Sequence, residues 1–342
     1  MPKTHVKPLL LLLLLAAPLF WPHSAQAKAK YLFKIASLAP EGSVWASRFD
    51  DYAREVGEKT GGEVAFRVYA GGVMGDDRAM YRKMRIGQLQ GGGFTMTGIS
   101  EVVPDFRVLG IPFLFRSYDE VDQVIAGLFP KFQKEFNDSG LELQAMSEVG
   151  FIYTMSTKPM TSIDDLRHAK AWAPENDPVS QAFLKTIGIS PIPLTIPDVL
   201  SSLQTGLIDT VFNSFYGSIV MQWFTKTSYI TDAPFGYAYG GLVFSKSAFD
   251  KMPPAYADIC RELAKKHFAK LLADTRKSNA EALVTLKKNG IKLVSIPESD
   301  LVELRKYRDQ AVKNVIGQAF SKEIYDETMR LLEAARQKPA GK

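Results

Sequence analysis

Side chains able to do acid–base or nucleophilic chemistry are few and scattered. Beyond the first 27 residues only His168 and His267 supply imidazole, and Cys260 is the single cysteine. One cysteine makes no intramolecular disulfide and no cysteine-rich metal cage. His168 follows Arg167 and precedes Lys170, and His267 lies among lysines on a helical stretch, so both are expected to be solvated rather than catalytic. No HExxH, GxSxG or GxxxxGKS/T pattern occurs. Gly91-Gly-Gly93 lacks the downstream glycine and lysine of a phosphate loop and reads as a tight turn with close backbone approach. The acid pairs Asp76-Asp77 and Asp164-Asp165 stand at helix starts, where capping accounts for them. No catalytic residue, metal ligand or cofactor is expected, and the chain is read as a binder rather than an enzyme.

A binder still needs a scaffold. With 342 residues, 46% hydrophobic and 23% charged, the chain can bury a substantial core, and its length suggests two domains. A formal charge of +5 without a basic run gives no nucleic-acid footprint. The N-terminus carries Lys3 and Lys7, then an apolar stretch Leu9–Trp21 too short for the roughly 20 residues of a membrane span, then Ala25-Gln-Ala27. Residues 1–27 are therefore expected to be a secretory signal cleaved after Ala27. The remainder should be soluble and exported, without membrane insertion.

Tyr31 to Ser37 alternates as a strand, and Trp45, Phe49, Tyr52 and Val56 recur at helical spacing. Val64 to Ala70 is again strand-like, Asp76-Asp77 opens a helix through Met80 and Met84, and Phe94 to Thr97 reads as a third strand. This βαβαβ alternation predicts a mostly parallel sheet covered by helices. Strands at Leu141–Met146 and Phe151–Met155 restart the pattern, so a second lobe is placed from about Gly150. Pro178 and Pro197 sit in the first turns of two short helices that end before Gly188 and Gly206. From Phe212 to Phe249 eleven of 38 residues are aromatic, against 11% for the chain, which predicts core and interlobe packing with several rings on one apolar pocket. After Pro253-Pro254 the chain turns helical, with Ile291–Ile296 the one late strand candidate and residues 338–342 a flexible tail.

Three segments of the first half, Gly61-Gly-Glu-Val-Ala-Phe-Arg-Val-Tyr69, Met74-Gly-Asp-Asp-Arg-Ala-Met80 and Leu109-Gly-Ile-Pro-Phe-Leu-Phe115, resemble the substrate-binding component of tripartite ATP-independent periplasmic (TRAP) transporters, the DctP-type family. Trp172-Ala-Pro-Glu-Asn176, Gly188-Ile-Ser-Pro-Ile-Pro193 and Ser202-Leu-Gln-Thr-Gly-Leu-Ile-Asp209 resemble its second half, in the same order. The resemblance implies a two-lobed α/β binding protein in the periplasm, joined by crossing segments and a long helix. It would close on a small organic ligand, often a carboxylate, and be recognised by a membrane permease pair. Lobe 1 is expected over 28–149 and 238–278, lobe 2 over 150–237 and 279–337, and the protein should act as a monomer.

The departures from the family pattern are informative. Trp172 occupies the position where the resemblance implies the carboxylate-gripping arginine, and Ile152 stands at a second position that is often basic. Asn213 matches the asparagine that contacts ligand. An indole offers one N–H and a broad apolar face where guanidinium would offer a planar bidentate pair. The expected site is thus Trp172, Asn213, Phe212, Phe215 and Ile152 facing Thr95 and Thr97 across the cleft, for a ligand that is apolar, aromatic or neutral. Arg85 or Arg107 taking over the anion's place is the alternative for the site. For the function, the alternative is an orphan binding protein that passes ligand or signal to a sensor or an envelope lipid carrier.

Overall fold

The computed structural model describes residues 29–337; the expected signal segment and the tail from 338 lie outside them. Nine strands form the framework: β1 Tyr31–Ser37, β2 Val64–Tyr69, β3 Gly91–Thr95, β4 Leu141–Ser156, β5 Trp172–Pro174, β6 Ile192–Leu194, β7 Thr210–Asn213, β8 Tyr229–Ser245 and β9 Lys292–Val294. One sheet runs β2-β1-β3-β8-β4-β7 with β9 beside β8, while β5 and β6 pair separately. Parallel pairing is found in β1–β2, β1–β3, β5–β6 and β8–β9, as the alternation predicts. The long central strands are antiparallel: β8 pairs antiparallel with β3 and β4, and β4 with β7.

Two departures from the sequence reading have one cause. The segments Leu141–Met146 and Phe151–Met155 are a single 16-residue strand, because Gly150 bends the strand instead of ending it. Gly150 has φ +105°, and a Cβ there would lie 2.8 Å from Asn279 Nδ2, so only glycine fits the crossing beneath the long helix. Gly91–Gly93, expected as a turn, are strand residues with ordinary φ. Close approach is what they serve: a Cβ on Gly91 would meet the Phe244 ring at 2.3 Å.

Local signals otherwise act as expected. Ser43 caps helix Val44–Lys59, which buries Phe49, Tyr52 and Val56. Asp76 caps Asp77–Arg85, whose Met80 and Met84 face the core. Asp177 accepts from Val179 N and Ser180 N at the start of Pro178–Thr186, and Gly206 in the left-handed region ends Val199–Thr205. Pro254–Lys288 is a 35-residue helix running past both lobes.

Two placements are corrected. His267 is buried, its Nε2 2.7 Å from Glu55, because its helix packs that face on Val44–Lys59; His168 remains exposed. Asp77 is not a cap but a buried partner of Thr95. The final helix Lys322–Gln337 lies against Tyr118–Asp138: Ile324 and Leu332 share a core with Val124, Leu128 and Phe132, and Arg336 pairs with Glu120.

Behind that interface Glu135 Oε2 is buried without a hydrogen-bond partner near Asp105, whose oxygens take Ser321 N and Oγ. Burial first, and then the Asp105 charge, push the Glu135 carboxyl up from 4.5 to about 7. A carboxyl held protonated in the fold destabilises it as pH rises from 4.5 to 7. Glu135→Gln should therefore match wild type near pH 4 and be more stable by about 1–2 kcal/mol above pH 7, allowing for partial solvation. Urea unfolding at both pH values checks this; equal differences at both would show that no proton is held there.

Candidate functional site

One cavity of about 240 Å³ lies between the lobes, where the strand ends of β3, β5 and β7 face each other past the crossing strands β4 and β8. Of the seven expected site residues, Trp172, Asn213, Phe212, Ile152, Thr95 and Thr97 line it. Phe215 does not: its ring stacks on Tyr153, centroids 4.1 Å apart and 14° between planes, in the second-lobe core. Ser214 caps the short helix that Phe215 begins, and that geometry aims the ring away from the cleft.

Trp172 is nearly buried, and its ring meets Trp223 edge-on at 5.3 Å. Its Nε1 donates to Leu194 O at 3.0 Å, so the one polar atom is committed to β6 and the cavity receives only the ring. Asn213 Oδ1 accepts from Ser214 N at 2.8 Å, while its Nδ2 has no acceptor among the described residues and remains a donor for a ligand. Phe212 stacks on Phe235 at 4.2 Å, both along the cavity wall.

On the opposite wall Thr95 Oγ1 donates to Asp77 Oδ2 at 2.6 Å and Thr95 N to Oδ1 at 3.0 Å. Burial raises Asp77 to about 6 despite those two bonds. Thr97 was expected at a strand end; it stands on the first turn of Met96–Ile99, its Oγ1 3.1 Å from that of Thr95. With the Thr95 proton given to Asp77, Thr97 donates to Thr95 and offers a ligand an acceptor oxygen, while Asn213 offers an amide donor; both groups are neutral.

Among the described residues, no arginine, lysine or histidine lines this cavity. Its one acidic side chain, Asp177, holds a helix start through two backbone bonds. Neither alternative cation reaches it. Arg85 lies on a separate polar groove beside Lys30 and Lys251. Arg107 is buried behind the cavity, donating to Ala319 O and Ser100 O at 2.7 and 2.9 Å, and burial lowers its pKa.

Several lining residues were not expected from the sequence: Trp45, Phe49, Val68, Phe268 and Leu271. Positions 45 and 49 carry the same helical apolar spacing as core positions, so the sequence offers no signal that part of their surface faces a void.

Tyr216 links the lobes across the mouth: its OH accepts from Val44 N at 3.0 Å and its ring lies 5.1 Å from Trp45. On the other side Arg78 donates to Asn176 Oδ1 at 2.8 Å.

A profile of the bacterial extracellular solute-binding protein family 7, DctP, matches residues 35–319. The chain belongs to this family. It is a TRAP transporter solute-binding protein, and its relatives are binding proteins rather than enzymes. Family members are periplasmic, and no helix among the described residues is long and apolar enough to cross a membrane. A solute-binding protein of Verminephrobacter eiseniae is 26% identical, covering 75% of this chain and 78% of its own. The fold matches the sugar acid binding protein DctPAm of Advenella mimigardefordensis in complex with galactonate, with TM-score 0.85, 19% identity and coverage of 90% and 99%. It also matches a TRAP solute-binding protein of Desulfovibrio salexigens with bound orotic acid, with TM-score 0.82, 21% identity and coverage of 89% and 98%. These likenesses establish the two-lobed α/β fold, and the two bound compounds are acids.

Proposed function

We propose that this DctP protein captures an uncharged, largely apolar or aromatic solute between its lobes and delivers it to a TRAP-type permease, acting as a monomer after export. The observation that carries the reading is that, among the described residues, no cation stands on the cavity wall, with Trp172 where the family resemblance implies an arginine. An anion entering such a site loses hydration without charge compensation, at a cost of several kcal/mol. An apolar solute instead gains about 25 cal/mol for each Å² it buries. Lobe 1 is proposed as 28–149 and 238–278 with the final helix added, and lobe 2 as 150–237 with the remainder. Closure on ligand as a hinge motion is supported by the Tyr216 and Arg78 contacts, which join segments assigned to opposite lobes.

All three tryptophans after residue 28, Trp45, Trp172 and Trp223, line the cavity, so intrinsic fluorescence reports its occupation. Titration with N-phenyl-1-naphthylamine, a neutral arene, should saturate with an affinity that is unchanged between about 20 and 500 mM salt. Galactonate and orotate, acids bound by the two structural neighbours, should produce no saturable change. Tight galactonate binding that weakens steeply with salt would overturn the reading and require a cation near the cleft.

A further inference from the structure

Cross-strand partners face the same side of a sheet, so the pairing shows what lies above the cavity's inner end. Toward the core, the face covered by helices Val44–Lys59 and Pro254–Lys288 carries Phe33, Ile35 and Phe244, which pack with Phe49, Tyr52 and Leu263. Two rows nearer the cleft the side chains shrink. Ser37 pairs with Gly93 and Gly93 with Leu242; in the next row Thr95 pairs with Gly240 and Gly240 with Ser147. A Cβ on Gly240 would sit 2.2 Å from Phe94 O, so position 240 can carry no side chain.

The helices above do not sink to close the gap. Trp45, Phe49, Phe268 and Leu271 remain on the cavity lining together with Ile35 and Leu242 beneath them. The interlobe cavity therefore continues as an apolar channel between the first-lobe sheet and the two helices. From Ala238 to Leu242 along β8 the channel extends about 13 Å. Among its polar lining, Ser37 Oγ already accepts from Ala39 N, and the Ser147 hydroxyl has no hydrogen-bond partner among the described residues.

A buried apolar void of this shape is not explained by a compact solute held at Trp172 and Asn213. Empty cavities cost stability, roughly in proportion to their volume, and close-packed interiors leave few of them. Thr97 and Asn213 supply polar groups to the same cavity at its interlobe part.

We propose that the channel behind the first-lobe sheet holds the hydrocarbon tail of a single-chain amphipath, whose small uncharged head, an alcohol, ester or amide, lies between Thr97 and Asn213. This deepens the apolar-solute reading and rests on it. A 13 Å channel takes roughly ten carbons, given bonds of about 1.5 Å in a zigzag. A branched or multi-ring solute would fill the outer cavity and leave the channel empty.

The test is a series of straight-chain alcohols from 1-butanol to 1-dodecanol, read by tryptophan fluorescence on the full mature chain. Affinity should rise about fourfold per methylene, the equivalent of about 0.8 kcal/mol, and level off near ten carbons. Ser147→Leu, which plugs the channel midway, should collapse the ratio of 1-decanol to 1-butanol affinity by tenfold or more. Phe268→Ala, which opens the inner end, should move the plateau to longer chains and keeps the test decisive if the first variant fails to fold. Affinity independent of chain length, or a ratio unmoved by both variants, would overturn the channel assignment. If the arene binds and no alcohol does, the channel assignment fails and the apolar reading stands; if galactonate alone binds, both fail.

Discussion

Arg276→Met should destabilise the protein by about 3–5 kcal/mol, because it strands a buried carboxylate. Glu148, with its side chain almost wholly inside, receives Arg276 Nε and Nη2 at 3.1 and 2.9 Å and the Tyr237 hydroxyl at 2.9 Å. The guanidinium also reaches Asp122 and lies 4.2 Å from the Tyr118 ring centre. Burial already raises the Glu148 pKa against the pull of Arg276. Without the cation it rises further, so the carboxyl is protonated in the fold and the deficit grows with pH from about the ordinary 4.5 upward. Urea unfolding near pH 4 and pH 7.5 should show a smaller loss at the lower value. The double variant Arg276→Met/Glu148→Gln should recover most of it, since a neutral amide needs no counter-charge. A single variant as stable as wild type at pH 7.5 would mean that the network contributes nothing where β4 crosses between lobes.

This network explains why that crossing was the least legible part of the sequence. Helix ends at Asp177, Gly188 and Gly206 depend on neighbours within a few residues, and the structure keeps them where the sequence puts them. Gly150 and Gly91–Gly93 look identical to turn glycines in one dimension. What they serve is contact with Asn279 and Phe244, more than 125 positions away. The site divides in the same manner. Trp172, Asn213, Phe212, Ile152, Thr95 and Thr97 reached the cavity because motif order and strand ends fix the cleft. The channel behind the sheet was illegible because it is made by small residues on β1, β3, β4 and β8 that come together only after pairing. That Arg85, Arg107 and Arg276 all miss the cavity is likewise a fact of three dimensions, and it turns a missing arginine into a missing charge.

Trp172→Ala should show whether that missing charge has a replacement in apolar surface. Two losses are expected together. The ring packs on Trp223 in the second-lobe core, and its removal should lower stability by about 3–5 kcal/mol, the range for emptying a buried aromatic site. Affinity for N-phenyl-1-naphthylamine should fall by about 1–3 kcal/mol, with no change in its salt dependence. Trp172→Phe separates the two, keeping an apolar face while leaving Leu194 O without its donor, for about 1–3 kcal/mol of stability and little affinity. Trp172→Arg should not restore arene binding, because the guanidinium cannot supply the lost face and must itself be desolvated beside Trp223. Fluorescence titrations corrected for the folded fraction decide the matter through Trp45 and Trp223. If the folded alanine variant binds the arene as tightly as wild type, the indole is a core residue that merely borders the cavity, and the selectivity must lie with Phe212 and the channel.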